Sequence, residues 1–471
     1  MALLSFYALI IFWHGIAGWR RSHSVGDYYV GGRRMSGFAI GMSFFATYLS
    51  TNTFIGLAGQ SYSYGPWWLL FTVFFVGFSL IAWLLLAERL RRMTDELGAV
   101  TVADFIGLRY GSESARYVAA IVIVIASVLY MTAIYKGIGT AIEFFFDIPY
   151  TSALLGMLLV TMLYTAVGGF VSVVRTDVVQ GIIVIIAAAV MFNGAAEAAG
   201  GVAALAELRG REGGEQLFTL GGPVPAPVMF GIFIAGAIKF LVDPRQLSRL
   251  FGIAPGRDIR IGMWISTAGF LIAFGLLLPL GLFGRLLLPE SGLHDTDRVI
   301  PALLASGIYS APVAGFLLVA LIAAAMSSLD SVLLVTATTF CRDLLASAGR
   351  SHWSDGRMIG ATRAAVIGFA VITAVIAWQP PASIVRLTTW SGSLFAACFF
   401  PAMLFGLYSR RGNGRAVVAS YVAGVAVLIA WGTSPWAKWL HEIFPAVAAS
   451  LLAFAAFTLA PARQSIPAPT E

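Results

Sequence analysis

Charge is scarce in this sequence. Only 11% of its 471 residues are Asp, Glu, Lys or Arg, while 59% are apolar. A water-soluble chain of that length needs a far more polar surface, so the composition points to a polytopic membrane protein surrounded by lipid bilayer. Lysine is rarer still, confined to Lys136, Lys239 and Lys438. The two cysteines, Cys341 and Cys398, both sit in apolar stretches, which excludes a disulfide framework and a thiolate metal cluster. The five histidines (14, 23, 294, 352 and 441) are scattered. No phosphate-binding loop, HExxH pair or nucleophile elbow is present, so neither an ATP-driven pump nor an enzyme is expected. The first apolar run, 2–19, lacks a basic start and a small-residue cleavage site, and reads as a span rather than a secretory leader.

What the chain has instead is long apolar runs. Segments of about 20 residues, enough to cross ~30 Å of hydrocarbon, fall at 2–19, 37–60, 66–88, 117–146, 150–168, 172–195 and 226–250. They continue at 261–288, 309–341, 360–378, 384–408, 415–433 and 439–461, which makes about thirteen transmembrane helices in an all-α chain. One alternating set of loops holds Arg20, Arg21, Arg33, Arg34, Arg89, Arg91, Arg92, Arg109, Arg116 and Arg175. The same set continues with Arg245, Arg249, Arg257, Arg260, Arg342, Arg350, Arg357, Arg410, Arg411 and Arg463. The opposite set holds only Arg209, Arg211, Arg285, Arg298 and Lys438. The positive-inside rule therefore expects the N-terminus outside and the C-terminus in the cytoplasm. The +7 net charge is thus topology, and no nucleic-acid partner is implied.

Polar groups at membrane depth are costly unless they face protein, water or a ligand, and four sets stand out. The stretch FFATYLSTNTFIG (44–56) carries Thr47, Ser50, Thr51, Asn52 and Thr53 inside an apolar run. Unwinding between Leu49 and Asn52 would free carbonyls for a cation; the alternative is an intact helix whose hydroxyls bond back to the preceding turn. In AAMSSLDS (324–331), Ser327, Ser328 and Ser331 share a helix face beside Asp330, suited either to a small hard cation or to close helix packing. Asp177 reads either as a first-turn acid favoured by the helix dipole or as a cation ligand. Lys136 and Lys239 lie within spans. Lys239 either neutralises Asp243 four residues on or serves as counter-ion to an anionic solute. Asp243-Pro244 marks a second helix break, because proline lacks a donor and disfavours helix before it.

Together these residues resemble the sodium/solute symporter family, transporters of sugars, proline, pantothenate, sialic acid and monocarboxylates. The similarity runs through DYYVGGRRM (27–35), the 44–56 stretch, YTAVGGFVSVVRTDVVQ (164–180), DPRQLSRLFG (243–252) and AAAMSSLDS (323–331), and covers essentially the whole chain. It implies a leucine-transporter-type 5+5 inverted repeat with one extra N-terminal and two extra C-terminal helices. The parts would be 1–36 (extra helix and cytoplasmic loop), 37–195 (first repeat), 196–225 (extracytoplasmic loop), 226–408 (second repeat) and 409–471 (two helices and tail). Carried over, the sodium site is similar to the carbonyls of Ala46, Leu49 and Ala324 with the hydroxyls of Ser327 and Ser328. Asp177, with Asp330 and Ser331, resembles a candidate second-ion position. Members with that site tend to have a third hydroxyl where this chain has Ala324.

The resemblance places solute contacts at Thr51, Asn52, Thr53 and Thr72, and the two lysines within spans, Lys136 and Lys239, are further candidates. Sugar-transporting members have Gln and Glu where Thr53 and Thr72 stand, which argues against a sugar. Lys239, near their aromatic gate position, favours a carboxylate-bearing solute. The implied function is sodium-coupled symport of a small organic solute across the plasma (inner) membrane, with Na+ the coupling ion and the only metal. A proton-coupled carrier using Asp177 or Asp330, a sodium/sugar or sodium/amino-acid symporter, and a non-transporting sensor are the alternatives. The sequence is compatible with a monomer and does not define the oligomeric state.

Overall fold

The computed structural model describes residues 24–211, 214–288, 295–347, 353–409 and 411–459, with Tyr7, Leu9, Trp13 and His14. Most of the expected 2–19 span lies outside the described residues, as do Arg20, Arg21, Arg350, Arg410 and Arg463. Among the described residues the fold is all-helical, with a single isolated parallel bridge between Met35 and Ile253. Among the described residues nine helices are long and apolar enough to cross a membrane, and three shorter apolar helices accompany them.

We label the elements that position the site. They are α1 (Gly37–Tyr48), α2 (Ala58–Tyr64), α3 (Pro66–Glu96), α4 (Glu113–Phe146), α5 (Tyr150–Ala198) and α6 (Ala226–Ala237). Then come α7 (Pro244–Gly252), α8 (Arg257–Leu277), α9 (Ala311–Thr339), α10 (Asp355–Ala377), α11 (Ile384–Tyr408), α12 (Gly414–Gly432) and α13 (Ile443–Leu459). Leu-, Ile-, Val-, Phe- and Ala-rich runs form helices here because lipid offers the backbone no hydrogen-bond partners, so each segment must satisfy its own. Apolar side chains such as Val73, Leu84, Ile125, Ile182, Val375 and Leu452 cover the outer surface, as the hydrocarbon solvent requires.

Two interruptions sit at the centre. Ser36 caps the start of α1, which stops at Tyr48, where Leu49 turns extended (φ −74°, ψ 105°). Helical winding resumes from Thr51, and Asn52–Leu57 forms a wider π-helical turn leading into α2. In the second interruption Asp243 is extended (φ −74°, ψ 121°) and its side chain caps α7, with Pro244 at the first helical position. Pro244 can take that place because its missing donor would have no intrahelical partner there.

A third break separates the spans expected at 150–168 and 172–195: the α5 segment is interrupted at Gly169, whose backbone is non-helical (φ 62°, ψ −171°). Only glycine adopts that geometry without strain, and a Cβ there would lie 2.7 Å from the Tyr28 ring.

The core forms around α9, which is buried from Leu317 to Thr339 except at Ile322 and packs on α1, α4, α5 and α7. Small residues allow the closest approaches: a Cβ at Gly41 of α1 would stand 2.7 Å from the carbonyl oxygen of Gly262 of α8. The same ends are tied by polar links. Met35 exchanges backbone hydrogen bonds with Gly252 and Ala254 at 3.0 and 2.9 Å, and the Gly37 N–H donates to Asp258 Oδ1 at 2.5 Å. α12 and α13 pack on each other and on α11.

Candidate functional site

The last turn of any helix leaves carbonyls without intrahelical donors. At the end of α1 those carbonyls face α9. Ser327 Oγ lies 3.0 Å from the Ala46 carbonyl, 3.5 Å from that of Leu49 and 2.9 Å from that of Ala324. Ser328 Oγ lies 2.9 Å from the Thr47 carbonyl and 3.3 Å from that of Leu49. The five residues singled out for sodium, Ala46, Leu49, Ala324, Ser327 and Ser328, therefore converge, and all are buried. Each hydroxyl has one proton, so two donors stand before the three carbonyl oxygens of Ala46, Thr47 and Leu49 at the end of α1, while that of Ala324 lies within the continuous helix α9. Such an oxygen-rich, donor-poor, uncharged cluster fits a hard monovalent cation and has no soft ligand for a transition metal.

One turn further along α9 lies the acidic cluster. Asp177, on α5, is fully buried rather than an exposed first-turn acid. Its Oδ2 accepts from Ser43 at 2.5 Å, Thr47 at 3.2 Å and Arg249 at 3.1 Å. Arg249 also donates from Nε to Ser43 at 2.8 Å, and from Nη2 to Thr47 at 2.9 Å and to Ser331. Ser331 in turn donates to the Ser327 carbonyl at 2.8 Å. Asp330 is buried nearby on α9 and accepts from Thr165 at 3.1 Å.

Arg245 and Arg249 require a correction. The loop-charge pattern counts both as cytoplasmic loop arginines, yet α7 buries them to 2% and 0% exposure. Their burial is tolerated because each meets a carboxylate. Arg245 forks onto Asp243 through Nε and Nη2, and its guanidinium lies 3.8 Å over the Tyr130 ring. Asp243 is thereby committed to Arg245, so it does not pair with Lys239 four residues earlier. The spacing of 245 and 249 on one helix face after a proline break is the sequence signal that could have revealed them.

Lys239 is 1% exposed; its Nζ donates to the Thr388 carbonyl at 2.7 Å and lies 4.8 Å from the Tyr130 ring. Tyr130, missed in the sequence, donates to Ser50 at 3.1 Å and so links this cation pair to the break after α1. Asn52 accepts at Oδ1 from Thr388 at 3.1 Å. Thr51 packs against Gly137, its hydroxyl 3.4 Å from the Ile134 carbonyl, and the Thr53 hydroxyl is buried without a hydrogen-bond partner. Thr72 is half-buried on α3. Lys136 stands apart from Lys239, held by Asp297 at 2.7 Å and the Ala382 carbonyl at 3.3 Å. Asp297 also accepts from the Ile384 N–H at the start of α11, one turn before Thr388.

The pattern of the sodium:solute symporter family matches residues 28–424. A sodium/pantothenate symporter from Haemophilus influenzae is 28% identical over 91% of this chain and 89% of its own length. An osmoregulated proline transporter from Bacillus subtilis is 29% identical over 94% of this chain and 91% of its own. The solved structure of a substrate-bound, outward-open Na+-coupled sialic acid symporter superposes with a TM-score of 0.83 at 19% identity, covering 98% of both chains, and so shares the fold. A break facing a serine pair, on a fold shared with a sodium-coupled carrier and matched by a family pattern over most of its length, gives one conclusion: the chain belongs to the sodium:solute symporter family, multi-pass membrane transporters that couple small solutes to sodium.

Proposed function

We propose that one sodium ion is held between α1 and α9 by the carbonyls of Ala46, Leu49 and Ala324 and the hydroxyls of Ser327 and Ser328, and that the co-transported solute carries a carboxylate. The observation that carries the ion site is the deficit of donors: two hydroxyl protons before the three carbonyls at the end of α1, where a cation can satisfy what the hydroxyls leave over.

The carboxylate reading rests on uncompensated positive charge. Lys239 and Arg245 share the Tyr130 ring, and Asp243 is their adjacent acid, engaged by Arg245. A buried ammonium whose protein partner is a backbone carbonyl is expensive, and an anionic group of the solute would offset it. Pantothenate, proline and sialic acid, the solutes in the relatives' names, all bear a carboxylate. Thr51, Asn52 and Thr53 would line the neutral part of the solute, with Thr72 on the facing helix. Lys136, already paired with Asp297, is the weaker of the two lysine candidates.

In this reading 37–195 and 226–408 are the two inverted repeats, each opening with a broken helix, and the full chain spans the plasma membrane thirteen times with its N-terminus outside. Sodium bound across the α1–α9 contact would hold these helices in one arrangement and order the solute residues just beyond Ser50. Voltage contributes about 2.3 kcal/mol per net charge per 100 mV, so a monoanion moving with one sodium would forfeit that drive and rely on concentration gradients.

Uptake of radiolabelled pantothenate, proline and small monocarboxylates into proteoliposomes tests the proposal. An inward sodium gradient is expected to drive accumulation, and Ser328→Ala to abolish it. Accumulation driven equally by a pH gradient without sodium would overturn it in favour of proton coupling.

A further inference from the structure

Around the Tyr130 ring, hydrogen-bond donors outnumber acceptors. Lys239 Nζ lies 4.8 Å from the ring centre and the Arg245 guanidinium carbon 3.8 Å, and both side chains are buried. An ammonium carries three protons; among the described residues one carbonyl, that of Thr388, receives from Lys239 at 2.7 Å. Arg245 spends Nε and Nη2 on Asp243, while its Nη1 is buried without a hydrogen-bond partner. The acceptors nearby are already engaged. Both Asp243 oxygens hold the Arg245 side chain, and Oδ1 also takes its backbone N–H at 2.9 Å. The Asn52 amide oxygen accepts from Thr388 at 3.1 Å, and the Gly236 carbonyl accepts from the Tyr48 hydroxyl at 2.8 Å. Asp297 is likewise held by Lys136 and the Ile384 N–H.

We propose that the solute is a carboxylate anion without an ammonium group, and that Lys239, supported by Arg245, selects it over the zwitterionic amino acid of the same shape. The inference rests on the carboxylate reading above and narrows it. Family membership leaves this choice open, because the relatives named above include carriers of pantothenate, which has no ammonium, and of proline, which has one.

Net charge comes first. An anion brings the negative charge that a buried lysine with a carbonyl partner lacks, whereas a zwitterion brings none overall. Position comes second. In an α-amino acid the ammonium sits beside the carboxylate, so a carboxylate bonded to Lys239 carries a second cation to within a few ångströms of the first. Like charges at that range repel strongly where water is excluded. Sodium at the Leu49 carbonyl would add a further positive charge next to Ser50, the residue that accepts from Tyr130 at 3.1 Å. The balance of donors points the same way. A carboxylate only accepts hydrogen bonds, which suits the free protons on Lys239 Nζ and Arg245 Nη1, whereas an ammonium only donates and adds to the surplus.

Pairs of acids that differ by the amino group alone test this on the purified full-length protein, with thermal stabilisation in sodium as the readout. Cyclopentanecarboxylate is paired with proline and isocaproate with leucine, and pantothenate is added as a larger acid without an ammonium. The amine-free acid of a pair is expected to stabilise at a concentration at least about ten-fold lower than its amino acid. Stabilisation by pantothenate alone, with neither amino acid active, also upholds the proposal. An amino acid that stabilises as well as its amine-free partner, or better, would overturn it while leaving the carboxylate reading intact. Failure of every acid, pantothenate included, would strike the carboxylate reading and this narrowing with it. Lys239→Met should treat the two members of each pair alike, and a folded variant that keeps the preference would overturn the assignment to Lys239. Should that variant not fold, the comparison on the unaltered protein decides the matter alone.

Discussion

Ser327 on α9 and Ala46 on α1 are 281 positions apart in the chain, yet the serine hydroxyl donates to the alanine carbonyl at 3.0 Å, at the point where α1 stops being a helix. Neighbouring Ser328 reaches the Thr47 carbonyl at 2.9 Å. The contact joins the first broken helix to the most deeply buried helix of the fold, so whatever binds there ties the two together.

Ser327→Ala and Ser328→Ala each remove one neutral oxygen from this cluster. A lost ligand or hydrogen bond at a buried site costs about 1–3 kcal/mol, which lowers sodium affinity roughly five- to hundred-fold. Radiolabelled sodium binding to the purified variants measures this; unchanged affinity in both would remove the pair from the ion site.

Lys239→Met is expected to leave sodium binding intact and to erase recognition of carboxylate solutes. The unfolding temperature should be kept or raised, because a buried charge without a carboxylate partner is replaced by an apolar chain of similar length. A thermal-shift panel of pantothenate, proline and small monocarboxylates, run with sodium and with potassium, reads all three effects. A solute that stabilises Lys239→Met as strongly as the unaltered protein counts against the anion reading.

Lys136 and Asp297 form a structural pair by their geometry, since the carboxylate takes both the ammonium and the N–H of Ile384 at the start of α11. Asp297→Asn strands a largely buried ammonium and should destabilise the protein by about 3–5 kcal/mol. Adding Lys136→Met should recover most of that loss. A double-mutant cycle on thermal unfolding gives the coupling, and additive losses would show that the two side chains act independently.

The α1–α8 contact admits no side chain at Gly41, where a new Cβ would stand 2.7 Å from a backbone oxygen. Gly41→Ala is expected to cost about 1–3 kcal/mol through displaced backbone. Gly77→Ala, with open space around it, should be neutral or slightly stabilising because alanine is the better helix former. Equal effects on melting temperature would mean that close packing at Gly41 is not limiting.

By itself the sequence determined what local chemistry can determine. Apolar length specified helices crossing a bilayer, because lipid leaves the backbone no other partner. Pro244 and the run of hydroxyls after Tyr48 marked the two central breaks, since a missing donor and competing side-chain hydrogen bonds act within a turn or two of their own position. Ser327 and Ser328 were legible as a polar face for the same reason. Tertiary structure alone decided which charges are buried. Arg245 and Arg249 follow a helix break in a basic segment and look like loop residues until Asp243, Asp177 and Tyr130 are brought around them from α4, α5 and the second break. It also decided that the chain between the spans at 150–168 and 172–195 turns at Gly169 against Tyr28, and that Lys136 has a carboxylate while Lys239 has a carbonyl. Apart from Asp243, two residues from Arg245, these buried charges are stabilised by partners that arrive from distant parts of the chain, and no local pattern records which partner arrives.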